Sequence, residues 1–227
     1  MILAIAAALA TAQAAPCPDV VTAEAFVCRA IRASADQQPE AAAEAFEQAA
    51  QQVDSADPQF ARLHAAAGNM WIAAEKPNKA AVALDKALAG TGLQGTQRGE
   101  ALLDRARAAE AQNDLKTARA KADEAAQTIA GDPFLWYFSA ALAIREGDPT
   151  RARASIEKAL TITPADPLIL FEAGHVAQFG GDTVGARHYW QRTVELDPSG
   201  DAGKAARDAL KLLPATVTVQ SEASAPK

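Results

Sequence analysis

Apolar and polar residues recur along this chain with the spacing of amphipathic helices, in runs of about a dozen residues separated by short turns. Period-two runs of β-branched and aromatic residues, which strands require, are scarce. Alanine makes up about a quarter of the chain, and its high helix propensity favours thin, closely packed helices. The pattern therefore predicts an all-α fold.

The helical runs repeat with a period of 34 residues. Small residues, turn residues and prolines recur in columns at this spacing: Ala106, Ala140 and Gly174; Asp114, Asp148 and Asp182; Ala118, Ala152 and Ala186; Gly147 and Gly181; Pro164 and Pro198. Each unit contains a helix, a short turn and a second helix that ends near a proline, which predicts helical hairpins. A small residue in each helix lets the two backbones approach closely.

Two consecutive units show the pattern most clearly. They are Trp136-x₂-Ser139-Ala140-x₂-Ala143, Ala152-x₃-Ile156 and Pro164, and then Leu170-x₂-Ala173-Gly174-x₂-Ala177, Ala186-x₃-Trp190 and Pro198. This pattern resembles the tetratricopeptide repeat, W-x₂-L-G-x₂-Y, then A-x₃-F, then P. The resemblance implies a right-handed α-solenoid of about five hairpins with a C-terminal capping helix.

The resemblance covers roughly residues 23–200 and is weakest near 26–46 and 102–122, where Arg29 and Arg105 replace the leucine of the family pattern. An arginine at that packing position must reach solvent or pair with another group. The predicted boundaries are hairpins near 23–56, 61–94, 99–132, 133–166 and 167–200, an extended loop at 90–95, and a capping helix at 201–212.

Both ends of the chain differ from the repeats in composition. Residues 1–15 are nearly all apolar, carry no charge and end in Ala12-Gln13-Ala14, so we interpret them as a signal peptide for export to the periplasm. A membrane anchor is the alternative, but the run is shorter than the ~20 residues that span a bilayer. After cleavage we expect no membrane insertion. Residues 16–22 are expected to form an arm, and residues 213–227 a disordered tail.

Two cysteines, Cys17 and Cys28, lie near the start of the repeat region, and an even count in an exported protein suggests a disulfide. On one helix they would be about 16 Å apart, too far for a bond. Cys17 would therefore lie in the arm, between Pro16 and Pro18, folded back against the first helix. Two unpaired thiols are the alternative at this stage.

The formal net charge of −6 and the lack of a basic cluster argue against nucleic acid as a partner. No nucleophile elbow, phosphate loop or common metal motif is present, so we predict no enzyme activity and no cofactor. His175 and His188 belong to one hairpin and could share zinc, but only with a third ligand.

The resemblance also implies a binding surface, because positions 2, 5, 9 and 12 of each repeat point into the groove of such proteins. In the last two repeats this predicts a groove lined by Phe134, Tyr137, Ile144, Leu168, Phe171, His175 and Gln178, with Phe179 adjacent. Polar candidates in the middle repeats are Arg62, Asn69 and Arg107. Aromatic residues at helical spacing are also typical of a core, which is the competing interpretation for the phenylalanines. We assign Trp71, Trp136 and Trp190 to the core.

These features favour a non-enzymatic adaptor of the cell envelope that holds a peptide segment of another protein in its groove. The alternative is a periplasmic assembly or maturation factor that holds unfolded clients. An adaptor should select one sequence, whereas a holder should take many apolar peptides weakly.

Overall fold

The computed structural model describes residues 16–214, and within that range it contains eleven α-helices and no strand. The all-α prediction is confirmed. The helices are α1 (Ala23–Ala35), α2 (Pro39–Ala50), α3 (Pro58–Ala73), α4 (Pro77–Leu88), α5 (Gly95–Ala111), α6 (Leu115–Ala125), α7 (Pro133–Glu146), α8 (Pro149–Ile162), α9 (Pro167–Phe179), α10 (Thr183–Leu196) and α11 (Asp201–Leu212). The predicted signal peptide and residues 215–227 of the predicted tail lie outside the described residues. The first two residues of that predicted tail are described: Leu213 is 8% exposed in a core cluster, and the Pro214 carbonyl accepts from Arg187 at 2.7 Å. None of the described helices is long and apolar enough to cross a membrane.

The described residues divide into two compact units: unit 1 ends at Leu93 and unit 2 begins at Gln94. In unit 1, the hairpins α1/α2 and α3/α4 pack against each other through α2 and α3. Its core includes Phe26 on α1, Ala49 and Ala50 on α2, and Leu63 on α3. Two hairpins are therefore joined by a layer in which alanines pack against larger apolar side chains.

An arm at the start of unit 1 is tied to α1, as the cysteine spacing suggested. Cys17 and Cys28 form a disulfide with their Cα atoms 5.7 Å apart. Arg29 donates from Nη2 to the carbonyl oxygens of Pro18 and Val20, each at 2.8 Å. Arg29 occupies the packing position where the repeat pattern has leucine, and its place in the structure is explained by these bonds to the arm.

Unit 2 contains three hairpins, α5/α6, α7/α8 and α9/α10, followed by α11. Successive hairpins contact through α6 with α7 and through α8 with α9, while α7 also contacts α9 directly. Helix α11 packs on α10 and reaches α9. It covers a cluster that includes Trp190, Ala186 and Ala177, to which Ala206 and Leu213 contribute.

Asp-Pro pairs start helices throughout the chain, because aspartate caps the first turn and proline fits its first position. Asp57, Asp132 and Asp166 accept hydrogen bonds from the second residue of α3, α7 and α9, at 2.8, 2.9 and 2.9 Å. Asp148 accepts from the third residue of α8 at 2.9 Å. These aspartate caps, each followed by a proline, define where the helices begin.

One residue in the turn of each hairpin has a left-handed backbone: Gln37, Glu75, Asn113, Gly147 and Gly181, with φ of 57°, 57°, 61°, 77° and 82°. The last two are glycines, which adopt this conformation without a steric penalty. The first three carry a side chain in a region that L-residues rarely occupy. Every hairpin therefore contains this tight turn, although only the last two hairpins have a glycine at the left-handed position.

In two hairpins the helices approach closely at a glycine of the first helix. A Cβ on Gly68 would lie 2.8 Å from Leu84 Cδ2, and one on Gly174 would lie 2.6 Å from Cε2 of Trp190. Trp71 and Trp190 are each 1% exposed, as predicted. The core assignment of Trp136 is only partly correct: its ring packs at the edge of the α7/α8/α9 core and also faces Nζ of Lys158 at 3.8 Å.

Candidate peptide-binding surface

The first helices of the last two hairpins of unit 2, α7 and α9, contact each other directly. Arg145, near the end of α7, donates to the carbonyl oxygen of Glu110 on α5 and to Asn113 in the turn after it. Apolar side chains of α7 and α9 that the repeat pattern placed in a groove are partly exposed here. We call Phe134, Tyr137, Leu168, Phe171, His175 and Phe179 the aromatic face.

The α7 part of the aromatic face is built on two stacked rings. Phe134 is 37% exposed, and its ring lies 5.6 Å from that of Tyr137 at an angle of 25°. The guanidinium of Arg107, on α5, lies 5.5 Å from the Phe134 ring centre. Burial, and then the nearby Glu172 carboxylate, raise the pKa of Tyr137. Ile144, also predicted to line the groove, packs at the edge of the core beneath.

The α9 part offers Leu168 and Phe179 to solvent, at 46% and 39% exposure. Gln178 is also exposed beside Phe179. His175 is half-buried, because its ring meets Phe171 edge-on at 4.4 Å and Trp190 at 5.5 Å. Phe171 itself packs against the cluster that α11 covers. Phe171 is therefore partly a core residue, as the competing interpretation held. Phe134, Leu168 and Phe179 remain exposed and can contact a ligand.

The charged groups beside the aromatic face are paired with neighbours of opposite charge. Arg107 donates to Asp104 at 2.8 Å. Arg145 is bonded to the Glu110 carboxylate, and its second nitrogen donates to Asn113 at 2.8 Å. The carboxylate of Glu172, on a residue only 8% exposed, lies 3.4 Å from His175 Nδ1. The face therefore combines exposed apolar rings with charges that are already compensated.

The polar candidates of the middle repeats lie on two helices, α3 and α5. Arg62 and Asn69 are exposed on α3 of unit 1, whereas Arg107 lies on α5 of unit 2. Through its contact with Phe134, Arg107 lies at the edge of the aromatic face.

The two histidines weighed as zinc ligands have different surroundings. His175 faces Phe171 and Trp190, while His188 is exposed and tilted against Tyr189 at 5.9 Å. Within residues 16–214, no three His, Cys, Asp or Glu side chains are grouped as a metal site requires.

A buried arginine network between α6, α7 and α8 was missed in the sequence. Arg119, 9% exposed, donates from Nη2 to Glu146 at 2.6 Å and from Nη1 to Ser139 Oγ at 2.8 Å. The Ser139 hydroxyl also lies 3.0 Å from that of Ser155. Ser139 replaces the leucine of the repeat pattern, which was the available signal that a polar partner packs there.

Solved structures of tetratricopeptide-repeat proteins share this fold. PilW, described as a widely conserved type IV pilus biogenesis factor, matches with a TM-score of 0.70 and 18% identity over 82% of each chain. The pilF protein of Pseudomonas aeruginosa matches at 0.67 and 17%, over 84% of this chain and 83% of its own. YrrB, described as having an unusual peptide-binding site, matches at 0.63 and 18%, over 84% and 92%. No family model and no curated protein matches the sequence. The resemblance carried by the repeat pattern is confirmed at the level of the fold.

Proposed function

We propose that this chain, which has the tetratricopeptide-repeat fold, is a non-enzymatic adaptor that binds a peptide segment of another protein on its aromatic face. One observation carries the proposal: Phe134, Leu168 and Phe179 expose 37%, 46% and 39% of their surface on two adjacent helices. Exposed apolar residues rimmed by polar groups are typical of interaction surfaces. The peptide-binding site described for YrrB supports the same mode of action.

The pairing of the charges determines which peptide fits. Arg107 and Arg145 are each bonded to an acidic side chain, so an incoming carboxylate would have to displace an existing ion pair. A segment with apolar or aromatic side chains buries Phe134 and Leu168 without that cost. The preferred ligand is therefore an internal, uncharged and apolar segment, and recognition of a C-terminal carboxylate is disfavoured.

The proposal includes export of the protein. Structural disulfides persist in oxidising compartments, and Cys17–Cys28 holds the arm on α1. The partner would then be another protein of the same extracytoplasmic space.

The test is selection from a random phage-displayed peptide library, followed by affinity measurement on the selected peptide. Selected sequences should be rich in Leu, Val, Phe and Tyr and poor in Asp and Glu. The double variant Phe134→Glu, Leu168→Glu should weaken binding at least about tenfold, because central aromatic and aliphatic contacts dominate such interfaces.

The matched control is Val184→Glu, Leu196→Glu. These side chains are 72% and 47% exposed on α10, outside the aromatic face, and the control should bind within about twofold of the wild type. Equal loss in both double variants would contradict the assigned surface. Weak retention of many unrelated apolar peptides, with no consensus, would instead favour the client-holding alternative.

A further inference from the structure

The carboxylate of Glu172 is an acceptor within the aromatic face that the fold uses only in part. Glu172 lies on α9, and its side chain is 10% exposed. Oε2 lies 3.4 Å from His175 Nδ1, which is longer than the distance of about 2.7–3.2 Å in most N–H···O bonds. Among residues 16–214, no group donates to Oε1 within hydrogen-bond distance. A ligand that brings a donor to Glu172 therefore gains a hydrogen bond that no described side chain supplies, at an acceptor whose burial is costly when it is unpaired.

The surroundings of this carboxylate are aromatic. After burial, the Glu172 carboxylate is the next cause of the raised pKa of Tyr137 on α7, so the two side chains are close together. The Tyr137 ring stacks on that of Phe134 at 5.6 Å, and the His175 ring meets that of Phe171 at 4.4 Å. A donor that reaches Glu172 therefore lies among aromatic rings. An aromatic side chain with its own N–H or O–H brings the ring contact and the donor in one rigid group.

The same kind of pairing occurs inside the protein. Trp71, on α3, is 1% exposed and donates from Nε1 to Oε1 of Glu47, on α2, at 3.1 Å. A glutamate of one helix thus accepts from an indole that packs against it from the next helix. A neutral donor suits Glu172 better than a lysine ammonium, because the ammonium would have to lose its strongly bound water to approach a largely buried carboxylate.

We propose that Glu172 selects a partner segment with tryptophan or tyrosine at one fixed position, whose indole N–H or phenol O–H donates to the Glu172 carboxylate. The inference rests on the proposed function, since it names the anchor residue of the peptide that the aromatic face binds. The anchor ring lies against Tyr137 and Phe171, and the apolar residues beside it contact Phe134 and Leu168. Removing a hydrogen bond to a charged group should weaken binding about tenfold or more.

Small uncharged probes test this hydrogen bond without a selected peptide. N-acetyl-tryptophanamide is titrated into the isotope-labelled full chain, in parallel with its 1-methylindole analogue, in which a methyl group replaces the N–H hydrogen. Resonances of Tyr137 and His175 should shift, and the N–H probe should bind about 5- to 10-fold more tightly than its methylated analogue. N-acetyl-tyrosinamide should likewise bind more tightly than N-acetyl-phenylalaninamide. Equal binding within both pairs, or tighter binding of N-acetyl-lysinamide, would overturn the proposal.

Matched variants assign the preference to Glu172. Glu172→Met removes the acceptor at similar volume, so the N–H probe and its methylated analogue should bind equally. Glu172→Gln keeps one acceptor oxygen and should retain part of the preference. Glu157→Met, at an exposed position on α8, is the control and should retain all of it. If Glu172 served only to orient His175, its variants would weaken both probes equally and leave the preference unchanged, which would overturn the proposal.

Peptide selection distinguishes the failure of this inference from the failure of the proposed function. Peptides selected by the wild type should carry tryptophan or tyrosine at one position, and peptides selected by Glu172→Met should carry phenylalanine or leucine there. A consensus without tryptophan or tyrosine, together with equal binding of the paired probes, removes this inference alone. A probe preference that depends on Glu172, without any selected peptide, removes the adaptor proposal alone.

Discussion

Gly174 of α9 lies against the indole of Trp190 on α10, and a Cβ at residue 174 would overlap Nε1 and Cδ1 of that ring. The same indole donates from Nε1 to the Phe171 carbonyl at 3.0 Å, which fixes the ring across the helix pair. The close approach of α9 and α10 thus depends on the missing side chain. It also sets the position of Phe171 and His175, which contact the Trp190 cluster from the aromatic face.

Gly174→Leu should separate these helices and lower the free energy of unfolding of unit 2 by about 1–3 kcal/mol through overpacking. Chemical denaturation measures the change. Gly131→Ala is the control, since no atom outside its chain neighbours lies within 4 Å of a Cβ built there. An unchanged unfolding midpoint for Gly174→Leu would show that the helix packing assigned here is wrong.

Arg119→Met should also destabilise unit 2, because it leaves the Glu146 carboxylate and the Ser139 hydroxyl without their buried donor. We expect a loss of about 1–3 kcal/mol in the same denaturation experiment. Arg151→Met removes a more exposed ion pair, 3.8 Å from Asp123, and should cost less than about 1 kcal/mol. Similar losses for the two variants would argue against a structural role for the buried network.

Reduction of Cys17–Cys28 should loosen the arm and α1 while unit 2 keeps its stability. The bond closes a short loop between residues 11 apart in sequence, so its contribution is at most about 3 kcal/mol. Amide hydrogen exchange with and without reductant reports the effect helix by helix. Faster exchange in α7–α10, or two reactive thiols in protein purified without reductant, would contradict the expectation.

His64 should make unit 1 less stable in mild acid. Burial, followed by the nearby Lys86, lowers the pKa of His64 from 6.5, against an opposing effect of Glu47. The residue is 4% exposed, and no described group bonds to its Nδ1. As pH falls below about 6.5, the unfolded chain takes up a proton that the folded chain resists, so stability decreases until the lowered pKa is reached.

His64→Gln should remove that part of the pH dependence. Amide exchange in α3 at pH 7.5 and 5.5 measures it, and His188→Gln is a control because His188 is exposed in unit 2. If the His64 variant loses as much stability in acid as the wild type, groups other than His64 cause the loss.

The sequence predicted those parts of the fold that repeat. Columns such as Ala140 and Gly174, and Asp148 and Asp182, recur because the hairpins of unit 2 share a close helix crossing and an aspartate cap at the start of the second helix. A structural requirement that recurs in successive hairpins therefore recurs in the sequence at the same spacing.

Features particular to one place left no such trace. The bond between Arg119 and Glu146 joins different repeats 27 residues apart, so no column contains both. The turns at Gln37 and Glu75 carry no glycine to mark their left-handed backbone. Phe171 occupies a groove position in the repeat pattern. It nevertheless packs against a cluster to which α11 contributes. Because α11 follows the last hairpin, no repeated column predicts this contact.

The central claim, that the aromatic face is the working surface, is tested most directly by locating the bound peptide. The selected peptide is titrated into isotope-labelled chain ending at Pro214, and the methyl and aromatic resonances are followed. We predict shifts that centre on Phe134, Tyr137 and Leu168, with Val184 and Leu196 unaffected. Shifts that centre on α10, or on unit 1 alone, would contradict the account.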